Sequence, residues 1–341
     1  MDLVGGKIGL AVSLAVWSVA IGLHGFMTGF FQLLLFRFFL GVGEGGCFPG
    51  AAKIVHDWFD EKRRAAAMGI AIGGSAIGAV VAPPLVTWVS DLYGWRWSFI
   101  SPAVVGIIWV VLWMSVPWKN SKHSINYQDK KYREKVPPLM AVLKNKKTLV
   151  FILVRFLVDP VFYFIMFWAP KYLSEQRDIS FEKIGSLFWI PFLGLGIANM
   201  LGGWFSDKLL KSGRSVDRSR KTIMGIAAAA TVIAPLIASV SSVQMAIALM
   251  TVVLIAHGFW ITNYITAISD VFGSHATSTV VGVSGTAGAL SGLLVSPLIG
   301  YIVQHYSYTP LWIVVGFIYP LAFVLLVIFI PKLIPVSVTT R

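Results

Sequence analysis

Apolar runs of about twenty residues recur along this chain, and each is long enough to cross the roughly 30 Å hydrocarbon core of a bilayer as a helix. Short polar stretches close each run. The pattern predicts ten membrane-spanning helices, over residues 9–28, 30–55, 65–90, 97–118, 148–173, 183–206, 221–240, 243–269, 277–303 and 309–331. The runs lack the strict alternation of barrel strands, so the fold class is all-α, a polytopic helical membrane protein. The longest polar stretch divides the chain into an N-terminal unit (1–118), a linker (119–147), a C-terminal unit (148–331) and a tail (332–341).

Composition agrees: 57% of the 341 residues are apolar and 13% charged, against roughly 25% charged in a soluble domain. The net charge of +13 raises the question of a nucleic-acid partner, and its distribution answers it. Lys7, Lys62, Arg63, Arg64, the basic residues of 119–147 and 206–221, Lys332 and Arg341 make up 21 of the 28 Lys and Arg, and all fall on one side of the alternating topology. Arg96, Lys171, Arg177 and Lys183 fall on the other. By the positive-inside rule the first side is cytoplasmic and holds both termini. The charge therefore sets topology and lipid contact, with no nucleic acid required. The single cysteine, Cys47, lies within a span, so there is no disulfide framework. The sequence shows no cleavable leader, no metal cluster, no catalytic triad and no cofactor motif. A membrane-embedded enzyme would need a cluster of Asp or His at the interface, and the sequence has none.

Four spans precede the linker and six follow it, an imbalance that an internal repeat explains. Residues 57–93 and 270–306 align without a gap at an offset of 213. Asp57 falls on Asp270, Phe59 on Phe272, Gly69 on Gly282, Ala76 on Ala289, Pro84 on Pro297 and Tyr93 on Tyr306. Matching Gly, Pro and Asp means matching backbone geometry, and parallel repeats of this kind mark transporters. Spans 148–173 and 183–206 then lack partners, which predicts two further helices upstream of Met1 in a six-plus-six protein; the alternative is a natural ten-helix protein. The segment GGWFSDKLLKSGR (202–214) and the opening MDLVGGK share one loop signal, Gly and Asp followed by Lys.

That loop signal resembles the one between the second and third helices of each half of the major facilitator superfamily. RFFLGVGEGG (37–46), continuing to WF (58–59) and PP (83–84), is similar to the anion:cation symporter branch, and RFLVDP (155–160) is similar to bacterial hexuronate transporters. The resemblance implies two six-helix bundles of which ten spans are present, a central cavity open alternately to each side, and proton-driven uptake of an organic anion. It also implies a bacterial inner membrane. The substrate it implies is a sugar acid such as a hexuronate or hexonate, with a dicarboxylate or an aromatic acid as the alternative. A non-transporting fragment is a further alternative. The protein is expected to be a monomer whose partners are the anion, the proton and the lipid bilayer.

A full charge at the bilayer centre costs about 2.5–3.5 kcal/mol, so the intramembrane charges are the candidate site. Arg37 and Glu44 are seven residues apart, which puts them on one helix face about 10 Å apart along the axis. That is too far for a direct ion pair. Arg37 is expected to bind the anion, because guanidinium grips a carboxylate bidentately and keeps its proton. Glu44 is expected to carry the coupling proton. The alternative is a pair bracing the bundle. Arg155 and Asp159, at i and i+4, are expected to neutralise each other as a structural or gating pair, or to serve as a substrate contact and a second proton-coupling group. Pro160 predicts a kink. His257, the repeat partner of Glu44, shares a helix face with Trp260 and Tyr264, a wall suited to binding a sugar; the alternative is a buried histidine satisfied within the core. Asn263 and Thr266 are further substrate-binding candidates, set off that face. Asp2, Asp207, Lys208 and Arg214 are expected to gate, with Asp2 weakened because Leu3 stands where the family has a basic residue. Asp57, Lys62, Arg63 and Arg64 read mainly as topology determinants. Gly69, Gly73, Gly78 and Ala79, and Gly282, Gly285, Gly288 and Gly292, read as close-approach surfaces between helices.

Overall fold

A computed structural model describes residues 1–117, 132 and 135–336; most of the expected linker and the end of the tail, with Arg341, lie outside the described residues. The helices are α1 (Gly6–His24), α2 (Phe30–Glu44), α3 (Cys47–Trp58), α4 (Arg64–Tyr93), α5 (Trp97–Ser115), α6 (Leu139–Lys144) and α7 (Lys146–Tyr163). A π-helical turn (Phe164–Trp168) leads into α8 (Ala169–Arg177), followed by α9 (Phe181–Leu187), α10 (Trp189–Lys211), α11 (Val216–Thr231), α12 (Leu236–Ser239), α13 (Val243–His305) and α14 (Thr309–Phe329).

Nine helical stretches among the described residues are long and apolar enough to cross a bilayer. The difference from ten is α13. Its 63 residues would reach about 95 Å as one straight helix, three times the hydrocarbon thickness. It breaks at Gly273, whose φ of 61° and ψ of −167° lie in a region open essentially to glycine alone. Gly273 stands at the repeat position of Asp60, inside the loop between α3 and α4. The break is therefore the counterpart of that loop, and α13 makes two of the ten crossings.

Side-chain caps set several starts. Asn145 accepts from the Lys147 and Thr148 N–H groups at the head of α7. Ser215 does so for Arg218 at the head of α11, with Asp217 in its first turn; both arrangements satisfy donors a helix N-terminus leaves free. The disturbance expected at Pro160 takes the form of the π turn that begins four residues later, a feature that commonly marks functional segments.

In the first unit α1 lies against α2, α3 and α5, and in the second α7, α10 and α11 lie along α13 while α14 packs on α7 and α11. The two units meet along α4 with α10, and along α3 with the second leg of α13. Glycines bring α4 and α10 together: a Cβ at Gly69 would meet the Asn199 carbonyl at 2.2 Å, and one at Gly203 the Ala65 carbonyl at 2.0 Å. Gly73 fits against Gly196 and Met200. Gly78, expected on this surface, has nothing within 4 Å, because the helical period turns it off the contact stripe. The deepest core lies in the second unit, around Trp260, Tyr264, Trp312, Tyr319 and Phe151. By contrast α2 and α5 leave nearly all their apolar side chains uncovered.

Candidate functional site

Arg37 and Glu44 both lie within the unbroken helix α2, so the seven-residue spacing does place them on one face. Gly43 fixes where that face points. A Cβ there would sit 2.5 Å from the Trp17 backbone nitrogen, so α1 lies on the Gly43 side. Arg37 and Glu44 stand about 100–120° away round the axis. Both are exposed and make no ion pair among the described residues. Two charges uncovered at this depth require water or a ligand, since hydrocarbon would penalise both.

The other intramembrane charge pair lies on α7. Arg155 donates from Nε to Asp159 Oδ2 at 2.9 Å, the i, i+4 pairing expected from sequence. The pair is largely covered, with 12% and 9% of the side chains exposed. Arg155 also stands 6.0 Å from the Tyr264 ring centroid, and its buried Nη1 lacks a hydrogen-bond acceptor among the described residues. The second leg of α13 passes directly over this row on glycines. Cβ atoms at Gly285, Gly288 and Gly292 would meet Arg155 Nη1 at 3.8 Å, Asp159 Oδ2 at 1.9 Å and Tyr163 Cδ2 at 2.5 Å. These glycines make room for charged and aromatic side chains, which is more than the helix-to-helix approach read from sequence. Beyond Tyr163, a cavity of about 310 Å³ is lined by Phe164, Phe167, Trp168, Gly292 and Ser296 among others.

The aromatic wall expected on α13 is turned differently. His257, Trp260 and Tyr264 do share a face, but it packs on α7 and α14. The His257 Nδ1 and Tyr319 hydroxyl lie 2.5 Å apart, and the imidazole stacks on Phe162 at 4.8 Å. Trp260 meets Tyr319 edge to face, and the Tyr264 hydroxyl donates to the Phe151 carbonyl at 2.6 Å. Asn263 donates to the Gly202 and Phe259 carbonyls, and Thr266 to that of Thr262. The helical period fixes which residues share a face, while neighbouring helices decide whether that face is packed or open.

A second charged constellation closes the basic end, where Lys62–Arg64, the 206–221 segment and the tail lie. Asp207 of α10 accepts from the Ala65 and Ala66 N–H groups at the head of α4, at 3.3 and 2.7 Å. Arg220 of α11, fully buried, donates to Asp207 at 2.8 Å, to Asp270 at 3.0 Å and to the Glu61 carbonyl at 2.9 Å. Arg64 pairs with Asp270. Asp2 accepts from the Ser278 and Thr279 N–H groups at 3.2 and 2.8 Å. The contact expected to suffer from Leu3 is therefore made, because backbone N–H groups supply it without a neighbouring base. Lys208 instead lies over the Trp204 ring at 5.0 Å, and Arg214 is exposed; neither joins this network. Arg220, Asp270 and Arg64 take the places in the network that sequence reasoning gave to Lys208 and Arg214. The available signal was the repeat, which pairs Asp270 with Asp57.

No group of His, Cys, Asp and Glu able to hold a metal occurs among the described residues. A family profile described as Major Facilitator Superfamily matches residues 1–296 and, again, 209–341. A D-galactonate transporter of Escherichia coli O6:H1 is 28% identical over 96% of this chain and 81% of its own length. A hexuronate transporter of Escherichia coli K12 is 26% identical over 93% and 76%. Among solved structures, a proton:xylose symporter bound to 6-bromo-6-deoxy-D-glucose superposes with a TM-score of 0.73 at 14% identity, covering 98% of this chain and 85% of its own. The human organic anion transporter MFSD10 gives 0.71 at 15%, covering 95% and 78%.

Proposed function

The chain belongs to the major facilitator superfamily, and from that premise we propose that it takes up a sugar acid with protons by alternating access. The family is one of transporters, which removes the membrane-enzyme reading. The observation that carries the proposal is the pair of uncovered charges on α2, taken with the Arg155 row on α7 of the other unit. An organic anion lying between the two units would meet a guanidinium on each side, Arg37 from one and the unoccupied Nη1 of Arg155 from the other. Guanidinium suits carboxylate because its planar donors match the two oxygens. Glu44, seven residues along the same face, is the proton carrier: it can be neutral or charged while Arg37 cannot change. Asp159 is the second proton-linked group, and its bond to Arg155 fixes the guanidinium that an arriving carboxylate meets. His257, Trp260 and Tyr264 support this row from behind. The relatives named for D-galactonate and hexuronate favour a sugar acid as the anion.

The closed basic end is the cytoplasmic side in this reading, so the structure represents a state with the cytoplasmic path shut. The protein acts as a monomer in a bacterial inner membrane with both termini in the cytoplasm. The test is uptake of labelled D-galactonate or D-glucuronate into liposomes containing the full chain, with an imposed pH gradient. The proposal expects accumulation that collapses with a protonophore. Uptake that ignores the protonophore would remove the proton from the scheme.

A further inference from the structure

The two repeats are gripped at the basic end through the same backbone positions. At the head of α4, Asp207 accepts from the N–H groups of Ala65 and Ala66, and Arg220 donates to the carbonyl of Glu61. Where α13 restarts after Gly273, Asp2 accepts from the N–H groups of Ser278 and Thr279. There Lys53 donates from Nζ to the Ser274 carbonyl at 2.5 Å and the Ser274 hydroxyl at 2.8 Å. Adding the repeat offset of 213 to positions 61, 65 and 66 gives 274, 278 and 279. In both repeats an acid holds two successive N–H groups, and a base holds the carbonyl four residues before the first of them.

The two bases do not correspond to each other in the repeat. Lys53 falls on Thr266 at that offset, whereas Arg220 sits on α11. The same grip has thus been built from unrelated helices, which points to a requirement at the gripped backbone. Lys53 is fully buried and tied to Asp57 at 2.9 Å, an ion pair deep enough to need both partners. The linker joins the same grip. The Tyr132 hydroxyl lies 3.0 Å from Lys53 Nζ and donates to the Ser274 carbonyl at 2.9 Å, while its ring stacks on His275 at 4.7 Å.

We propose that Lys53 is a gating residue: with Asp2 it forms a second grip on the basic end, matched to that of Asp207 and Arg220, and Tyr132 ties the linker to it. The proposal rests on the alternating-access reading above, in which each grip can loosen on its own and the basic end opens once both are free.

Hydrogen–deuterium exchange of the full chain in lipid nanodiscs tests it without requiring transport. In Lys53→Met the Ser278 and Thr279 amides should exchange about tenfold faster, the loss expected for a charge-assisted hydrogen bond, while the Ala65 and Ala66 amides stay as in the wild type. Lys53→Arg, which keeps a cationic donor, should restore most of the protection. Unchanged exchange at Ser278 and Thr279 would overturn the proposal, and so would an equal rise at both grips. Should Lys53→Met fail to reach the membrane, Lys53→Gln, which keeps a donor without the charge, is read in the same way. Tyr132→Phe should raise exchange at the same two amides about twofold; no change there would remove the linker from the grip. D-galactonate counterflow in liposomes is the parallel arm, with the maximal rate of Lys53→Met altered and its KM within about twofold of wild type. A wild type that moves no D-galactonate would sink the transport reading and leave the exchange result standing. Flat exchange beside intact transport would sink the grip alone.

Discussion

Gly288 separates a site held in register from a merely crowded helix contact. A Cβ at this position would lie 1.9 Å from Asp159 Oδ2 and 2.6 Å from its Cγ. Carbon and oxygen tolerate about 3.2 Å without strain, so in Gly288→Ala the carboxylate must retreat by about 1.3 Å or α13 must lift from α7 by a similar amount. The Arg155–Asp159 bond is 2.9 Å now, and either movement takes it beyond hydrogen-bonding range. Losing a charge-assisted bond costs about 1.5–3 kcal/mol, which corresponds to roughly a 10- to 150-fold change in an equilibrium constant. Gly288→Ala is therefore expected to weaken D-galactonate binding, measured by calorimetry on the purified chain, by at least about tenfold. Gly78→Ala, with open space around it, should bind as the wild type does. The double variant Gly288→Ala/Asp159→Ala should bind no worse than Asp159→Ala alone, because the colliding carboxylate is gone. Wild-type affinity in Gly288→Ala would refute the claim that the position of the Arg155–Asp159 pair matters to the ligand. Additive losses in the double variant would show that Gly288 acts through helix packing elsewhere.

Four more outcomes follow from the same geometry. Arg37→Ala should weaken D-galactonate binding by about tenfold or more, the scale of a lost charge-assisted pair; unchanged affinity would make Arg37 and Glu44 a structural pair. Glu44→Gln should retain D-galactonate exchange between equal pools and lose proton-driven accumulation, read by counterflow and by gradient-driven uptake in the same liposomes. Arg220→Met leaves Asp207 and Asp270 buried without their shared cation and should cost about 3–5 kcal/mol, visible as a clear drop in melting temperature. Gly273→Ala forces a side chain into the left-handed break and should cost about 1–3 kcal/mol; full stability there would mean that α13 does not need the break.

The spans could be read from sequence because a bilayer sets a minimum apolar length, and α13 shows why the count could be trusted over the helix boundaries. Asp270 and His275 sit between its two apolar legs, and the repeat places Gly273 opposite a loop. Gly78 and Gly288 look alike in sequence, yet one faces open space and the other a carboxylate, since only the neighbouring helix distinguishes them. The same holds for Trp260 and Tyr264, whose shared face is a property of the helix and whose burial is a property of α7 and α14. Arg220 was one of six basic residues between 206 and 221. Choosing it over Arg214 requires knowing that α11 aims that position between Asp207 and Asp270. Asp2 was undervalued for a related reason: its partners are backbone N–H groups, which leave no mark in sequence.

The division of labour at the basic end bears on how a transporter can open without a prohibitive cost. Asp207, Arg220 and Asp270 all belong to helices after the linker, and Lys53 and Asp57 share α3 before it. If the two units part, these buried ion pairs travel intact within their own unit, so the several kcal/mol of stranding a buried charge is avoided. The bonds that break across the interface are those of Asp207 to Ala65 and Ala66, Asp2 to Ser278 and Thr279, Arg220 to Glu61 and Lys53 to Ser274. Each has a backbone group on one side, which incoming water can satisfy, and as bonds to charged groups they cost about 1.5–3 kcal/mol each; the Ser274 and Thr279 hydroxyls add side-chain bonds to the same base and acid. Among the described residues the Arg64–Asp270 pair is the ion pair of this network that crosses, and Asp270 keeps Arg220 when it breaks. Six such bonds and one shared ion pair give a gate firm enough to favour one state. A bound anion and a proton shift the balance by preferring the other state, and no step of the opening strands a buried charge without its partner.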